Sequence, residues 1–114
     1  MRGMWGKINN ERQVCIMQFS VGITNYQKNQ MLNICDPDMI GKKFNQKELK
    51  LHISQEYYGK KLVETKEAEN LLKNSSIINM VGKETISLSI NLGIGSENGI
   101  KTIDGIPFLI VFKM

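Results

Sequence analysis

The chain has few of the residue types on which most metal sites and nucleophilic active sites depend. Its 114 residues include one histidine, two cysteines and two prolines. Two cysteines are too few for a disulfide framework, and both Cys15 and Cys35 lie in apolar runs. We therefore expect buried free thiols and a reducing, cytoplasmic setting. Because no Cys-x-x-Cys or His-x-x-His spacing occurs, the sequence predicts no metal site and no cofactor.

Long apolar stretches are also missing. No segment approaches the roughly 18 apolar residues of a membrane span, and residues 1–13 lack the apolar core of a secretory signal. We therefore expect a cytoplasmic protein with no membrane partner. The length predicts one domain, and we divide the chain into a polar N-terminal arm, residues 1–13, and a single compact domain, residues 14–114.

Catalytic groups are scarce. Nucleophilic catalysis by Cys35 needs a nearby base, and the sole histidine, His52, is expected on an outer strand face while Cys35 lies in a core strand. Asp36 and Asp38 flank a proline, which is more typical of turn capping than of paired catalytic carboxylates. The glycine-rich loop 93–99 matches neither a P-loop nor a dinucleotide-binding fingerprint. The sequence therefore predicts that the protein is not an enzyme.

Apolar alternation predicts several strands. Residues 14–24 are rich in β-formers but change phase, which a bulge near Met17–Gln18 would reconcile. We predict a turn over 25–30 and a returning strand over 31–35 that Pro37 stops. Leu49, Leu51 and Ile53 alternate with Lys50 and His52, which indicates a half-buried strand with the two polar side chains outward.

The second half of the chain mixes helix and strand signals. We predict a helix over 66–74 with Thr65 as its N-cap, then a short capped turn through Val81. Residues 85–92 alternate like a strand, yet Gly82 and Gly93 bracket them like a helix, so both assignments stay open from the residues alone. Asp104-Gly105 predicts a hairpin turn before an apolar central strand over 108–112, with Pro107 at its start.

The feature most informative about function is the basic window 41–61, GKKFNQKELKLHISQEYYGKK. It holds six lysines against two acids, a balance of +4, which equals the net charge of the whole chain. Lysines supply salt-dependent contacts to phosphates, and interleaved rings can stack on bases. A solvated lysine-rich surface is the competing explanation. The candidate nucleic-acid-binding residues are Lys42, Lys43, Lys47, Lys50, His52, Tyr57, Lys60 and Lys61.

We further predict that two lysine pairs, Lys42–Lys43 and Lys60–Lys61, converge into one site, since each follows a glycine-containing turn. This convergence requires both turns to lie at the same end of the sheet. The absence of arginine in the window argues against bidentate recognition of bases or phosphates.

Several segments resemble the archaeal family catalogued as domain of unknown function 424. They are NICDPDMIGKKF, LKLHISQEYYGKKLV, NSSIINMVGKETISLSINLGI and IDGIPF, which extend the resemblance from about residue 14 to 114. The resemblance implies a compact α+β domain of archaeal cytoplasm and favours helix for 83–92. It implies no activity. Phe108 stands where the family often has His, so a family site that used that imidazole is altered here.

These observations lead to a small single α+β domain, mostly antiparallel sheet with two or three short helices. Our first functional hypothesis is a non-enzymatic RNA-associated accessory protein of the archaeal ribosome or translation apparatus. The alternative is a protein–protein adaptor that uses the apolar C-terminal strand or the seven methionines. The expected partner is RNA or a ribosomal subunit in the first case and a protein in the second.

Overall fold

The structure, a computed structural model, describes residues 17–46 and 49–113. The predicted N-terminal arm and the first apolar residues of the predicted domain, 14–16, lie outside the described residues, as do 47, 48 and 114. Within the described part, no helix is long and apolar enough to cross a membrane.

The described residues form eight strands and three helices, with short 3-10 turns at Pro37–Met39 and Glu97–Gly99. The strands are β1 Gln18–Tyr26, β2 Asn29–Cys35, β3 Lys43–Gln46, β4 Leu49–His52, β5 Lys61–Glu64, β6 Ile77–Val81, β7 Lys101–Ile103 and β8 Ile106–Phe112. The helices are α1 Gln55–Tyr58, α2 Thr65–Asn74 and α3 Lys83–Asn91. The predicted α+β class, with a mostly antiparallel sheet, is confirmed.

Six of the strands form one mixed sheet in the order β5-β1-β2-β6-β8-β7, and β3 and β4 form a separate two-stranded hairpin. All neighbouring pairs are antiparallel except β2 and β6, which are parallel. The parallel pair requires a long crossover, and this crossover carries the hairpin, α1, β5 and α2.

One face of the large sheet carries the helices. Alternating residues of the central strands point to this face and pack under α2 and α3, because the side-chain period of a strand is two. The resulting helix-side core has Phe19, Val21, Leu32, Ile34, Val63, Ala68, Leu72, Ile78, Met80, Ile86 and Leu109 as its buried members. Ala68 and Leu72 of α2 are thus fully buried against the sheet.

The opposite face of the sheet is only partly covered. The hairpin and α1 lie over one end of it and close a second, smaller core. The buried members of this hairpin-side core are Cys35, Met39, Ile53, Tyr58 and Val81. At the other end of the same face, Ile110 and Phe112 of β8 keep exposed side chains.

The turn between β1 and β2 is tighter than predicted. The strands run to Tyr26 and resume at Asn29, so only Gln27 and Lys28 remain, with φ of 49° and 71°. Positive φ at both central residues is the geometry of a type I′ turn, for which Asn-Gly is the usual signal. Gln-Lys gives no such signal. The turn predicted over 25–30 is therefore confirmed in position, but its predicted length is wrong, because the outer four residues belong to the two strands.

The short capped turn predicted through Val81 is also wrong. Residues Ile77–Val81 are β6, a central strand between β2 and β8. Its alternation buries Ile78 and Met80 under the helices, whereas the two serines before it suggested a cap. Ser75 instead ends α2, where its hydroxyl donates to the Leu71 carbonyl oxygen at 2.7 Å.

The helix and strand assignments for 85–92 are decided in favour of helix, as the resemblance implied. Helix α3 spans Lys83–Asn91, and Gly93 at φ 78° ends it. The Ile94 N–H donates to the Ser89 carbonyl oxygen at 2.9 Å, the long hydrogen bond of a Schellman motif. Helix α2 begins at Thr65, one residue earlier than predicted, and Glu64 takes the N-cap position.

Candidate nucleic-acid interface

The hairpin of β3 and β4 has polar and charged side chains on one face and apolar side chains on the other. Lys43 lies opposite His52, and Asn45 lies opposite Lys50. Directly opposed residues of an antiparallel pair point to the same face, so these four exposed side chains share the outward face of the hairpin. Within Lys43–Gln46 and Leu49–His52 there is no acidic residue. The outward face of the hairpin is therefore polar and positively charged.

The inward face holds the hairpin to the body of the protein. Phe44 and Leu51 are opposite each other and pack against the hairpin-side core. The predicted alternation is confirmed by Ile53, which is fully buried, and by the outward Lys50 and His52. Anchoring on one face leaves the cations of the other free to meet a ligand.

The ladder of the hairpin continues past its formal end. The Gly41 N–H donates to the Ile53 carbonyl oxygen at 2.7 Å, and the Ile53 N–H donates to the Lys42 carbonyl oxygen at 2.9 Å. Lys42 therefore extends the hairpin, with an exposed side chain. A shallow groove of about 190 Å³ lies along the hairpin, lined by Lys43, Phe44, Asn45, Lys50, Leu51 and His52.

An exposed ring follows the hairpin closely. Ser54 accepts a hydrogen bond from the Tyr57 N–H at 3.3 Å and so starts the single turn of α1. This turn points Tyr58 into the hairpin-side core and leaves Tyr57 with 60% of its surface exposed. Of the two adjacent tyrosines only Tyr57 is available for stacking on a base.

Lys61 does not join the outward face of the hairpin. It lies on the edge strand β5 opposite Val21, so its side chain points to the helix side of the sheet. There its ammonium contacts the Glu67 carboxylate at 2.8 Å. The predicted convergence of four lysines therefore fails at Lys61, because the strand period turns it away from the side that the hairpin covers. Lys60 is exposed and immediately precedes β5, and Lys47 lies outside the described residues.

A family model matches residues 24–114. The chain belongs to the family described as protein of unknown function DUF424. The described fold is similar to the crystal structure of an uncharacterized conserved protein from Methanopyrus kandleri. That similarity has a TM-score of 0.66 at 23% identity and covers 85% of this chain and 94% of the other. At this identity it shows the fold alone. No curated protein matches the sequence.

Several segments that carry the DUF424 resemblance meet in space, at a junction that the sequence did not predict. The Asp36 N–H donates to the Val81 carbonyl oxygen at 3.1 Å, and the Gly82 N–H donates to the Pro107 carbonyl oxygen at 3.0 Å. These bonds join the ends of β2, β6 and the start of β8. A cavity of about 390 Å³ opens here, bordered also by Asp38, Lys83 and Glu84.

Asp36 does not cap its own turn, as the sequence suggested. Its side chain makes no capping bond to the Pro37–Met39 turn. It reaches the start of α3 instead, where its carboxylate accepts hydrogen bonds from the N–H groups of Glu84 at 3.2 Å and Thr85 at 2.8 Å. A carboxylate at a helix N-terminus satisfies orphan N–H groups and complements the dipole. Only the parallel pairing of β2 with β6 brings Asp36 there, so no local signal could have found it.

Cys35 is a structural thiol. Burial, followed by the carboxylates of Asp36 and Asp38, raises the pKa of its thiol from 9.0 to about 12, against a hydrogen bond with Ser20 that lowers it. The group is thus protonated at neutral pH and fully buried. The weak nucleophilicity of a thiol compared with a thiolate makes Cys35 unsuited to catalysis. Among the described residues, no group of three or more His, Cys, Asp or Glu side chains is placed to hold a metal ion.

Proposed function

We propose that this DUF424 protein is a non-enzymatic RNA-associated accessory protein of the archaeal ribosome or translation apparatus, acting in the cytoplasm. RNA binds the outward face of the β3–β4 hairpin. The observation that supports this proposal is the strand register, which gathers Lys43, Lys50 and His52 on one exposed face that has no acid within the described residues of the two strands. The archaeal setting and the link to translation rest on the family resemblance and on the small size and basic patch.

Lysines without arginines favour contacts to phosphates over sequence readout. The exposed Tyr57 adds a stacking surface whose affinity tolerates any base. We therefore expect binding to single-stranded or irregular RNA, with strong salt dependence and weak sequence preference.

The test is fluorescence anisotropy of labelled ribosomal RNA fragments at low and high salt. The variant Lys43→Ala/Lys50→Ala removes two outward hairpin cations, and Lys66→Ala/Lys73→Ala is the matched control on the exposed side of α2. Both variants lower the net charge from +4 by two. We expect the hairpin variant to bind about tenfold more weakly and to lower the salt slope by about 1.4, two single-strand contacts.

If both variants lose the same RNA affinity, the loss follows from the lower net charge alone, and a binding site on the hairpin is contradicted. Lack of binding near 0.1 M salt, or binding insensitive to salt, would contradict RNA association itself.

A protein–protein adaptor is the second candidate, and the exposed Ile110 and Phe112 favour it. Affinity purification from native lysate with and without nuclease separates the two functions. Partners lost on nuclease treatment support RNA association, and partners that persist support the adaptor.

A further inference from the structure

The outer edge of β8 is paired over only half its length. Beyond the pairing, the loop before β7 packs against side chains on the helix side of β8, with Gly95 beside Val111 and Gly99 beside Leu109. Strand β7 pairs with the first part of β8, from Ile103 opposite Ile106 to Lys101 opposite Phe108. Before Lys101 the chain turns through Glu97–Gly99 and leaves the ladder, whereas β8 continues to Phe112. From Leu109 onward, no strand among the described residues pairs with this side of β8.

Two hydrogen bonds fix which backbone groups reach the open edge. The Lys113 N–H donates to the Ser76 carbonyl oxygen at 2.7 Å, and the Pro107 carbonyl oxygen accepts from the Gly82 N–H at 3.0 Å. Odd-numbered residues of β8 therefore direct their backbone groups toward β6. Because this direction alternates along an antiparallel strand, Ile110 and Phe112 present their N–H and C=O groups outward.

The side chains at the same two positions are apolar and exposed. Ile110 has 50% and Phe112 has 66% of its surface accessible, on the sheet face that the hairpin leaves uncovered. A cavity of about 490 Å³ adjoins Ile110, and its other lining residues are Gly99, Lys101, Thr102 and Phe108. Unpaired backbone groups beside apolar side chains make an edge that pairs readily with another strand.

We propose that this edge pairs with the same edge of a second copy of the chain, antiparallel about a two-fold axis at Val111. Ile110 then lies opposite the partner's Phe112, and Phe112 lies opposite the partner's Ile110. Both are hydrogen-bonded pairs, so the outward groups of the two residues satisfy each other across the axis. Two six-stranded sheets thereby become one continuous sheet.

The extent of the open edge favours this occupant over an unrelated peptide. We call residues 109–113 the free stretch, because β7 pairs with β8 only as far as Phe108. The central residue of the free stretch is Val111. In this register each copy pairs through residues 109–113 and ends next to the β7 strand of the other copy. A longer partner strand would collide with Lys101, which already pairs with Phe108. A two-fold axis places the same surface on both sides of the contact.

Charge does not oppose the pairing. Within the free stretch the one charged residue is Lys113, which points to the helix side. Its ammonium donates to the carbonyl oxygens of Leu72 at 2.6 Å and Lys73 at 3.0 Å, at the end of α2. On the exposed face of the paired edge, the side chains are therefore the four apolar ones of Ile110 and Phe112 from the two copies.

Sedimentation equilibrium of the full chain over a range of concentrations tests the proposal. We expect a reversible monomer–dimer equilibrium whose dissociation constant rises at least about tenfold in Ile110→Lys/Phe112→Lys. Leu62→Lys is the matched control, an equally exposed apolar residue at 54% on the opposite edge strand β5. A chain that stays monomeric throughout overturns the proposal, and so does a dimer that survives Ile110→Lys/Phe112→Lys.

A crosslink tests the register without weakening the edge. At the axis the two Val111 residues form a non-hydrogen-bonded pair with Cα atoms about 4.5 Å apart, within disulfide range. In a chain carrying Cys15→Ser, we expect Val111→Cys to give a disulfide dimer on mild oxidation, and Leu62→Cys to give little. Equal crosslinking of the two variants, or none in Val111→Cys, overturns the proposed pairing.

Discussion

Asp36 and Thr85 are joined twice, because one carboxylate oxygen of Asp36 accepts from both the backbone N–H and the hydroxyl of Thr85, each at 2.8 Å. Thr85 is fully buried at the start of α3. The two residues are 49 positions apart in the sequence. A single side chain therefore fastens the end of β2 to the helix that follows β6.

Asp36→Ala should lower the free energy of unfolding by about 2–3 kcal/mol, because it removes a helix cap and leaves buried donors of Thr85 unsatisfied. Asp36→Asn keeps one acceptor oxygen and should cost less. Asp38→Ala, an exposed acid two residues away, is the control and should stay within about 0.5 kcal/mol. Urea denaturation measures all three, and equal midpoints for Asp36→Ala and Asp38→Ala would contradict the capping role.

Alkaline pH should destabilise the protein through Cys35 and Tyr58. Burial raises the pKa of both groups to about 12, and their ordinary values are 9.0 and 10.0. The folded state therefore holds protons that the unfolded state releases above about pH 9. The stabilising contribution is complete below pH 9 and is lost progressively as the pH approaches 12.

The urea midpoint between pH 8 and pH 11 checks this expectation. The urea midpoint of Cys35→Ala/Tyr58→Phe should fall less steeply with pH than that of the wild type. The midpoint of Tyr57→Phe, which changes the exposed neighbouring ring, should fall as the wild-type midpoint does. A wild-type midpoint that is constant up to pH 11 would show that the two protons are not retained on folding.

Gly22→Ala should destabilise the contact between β1 and α1. A side chain at position 22 would overlap the backbone carbonyl of Tyr57, which lies against the strand. Backbone overlap cannot be relieved by a rotamer change, so we expect a loss of about 1–3 kcal/mol in the free energy of unfolding. Thr24→Ala, exposed on the same strand face, serves as the control in chemical denaturation. Comparable midpoints for the two variants would mean that α1 shifts freely.

The two lysine positions Lys43 and Lys61 should differ in their effect on RNA binding. Lys61 is committed to Glu67 on the helix side, whereas Lys43 is on the outward face of the hairpin. We expect Lys43→Ala to weaken binding several-fold more than Lys61→Ala in the same anisotropy assay. The Lys61–Glu67 pair is exposed, so its loss should cost at most about 1 kcal/mol of stability. A larger loss of affinity in Lys61→Ala would restore the four-lysine site.

The sequence predicts well those elements whose signals are local. Strict alternation around Leu51 and Ile53 and the Asp104-Gly105 turn each act within a few residues, and both predictions are confirmed. Gly93 at the end of α3 supported only one of two assignments that the residues left open, and the family resemblance favoured the helix that the structure has. The outward placement of Lys50 and His52 also follows from alternation alone, whereas β3, which brings Lys43 beside them, was not predicted. These features depend on the period of a strand and on backbone conformation, which a sequence displays directly.

The predictions that failed depend on distant residues. Ile77–Val81 is a strand between β2 and β8, and the two serines before it gave the misleading signal of a capped turn. The separation of Lys61 from Lys43 depends on which face each strand turns toward, and the role of Asp36 depends on the parallel pair. Tertiary packing overrides local preference at such positions.

The parallel pairing of β2 with β6 has a consequence for the order in which the chain folds. The β1–β2 and β7–β8 hairpins can close early, since their strands are adjacent in sequence. Pairing of Cys35 with Val81, by contrast, closes a loop that includes the hairpin, α1, β5 and α2. The entropy of that closure is paid before its contacts form, and non-local pairings slow folding. The core that anchors the basic hairpin includes Val81 of β6 and contacts Ile106 and Phe108 of β8, so the face proposed to bind RNA is held in place only after this closure, which should limit refolding.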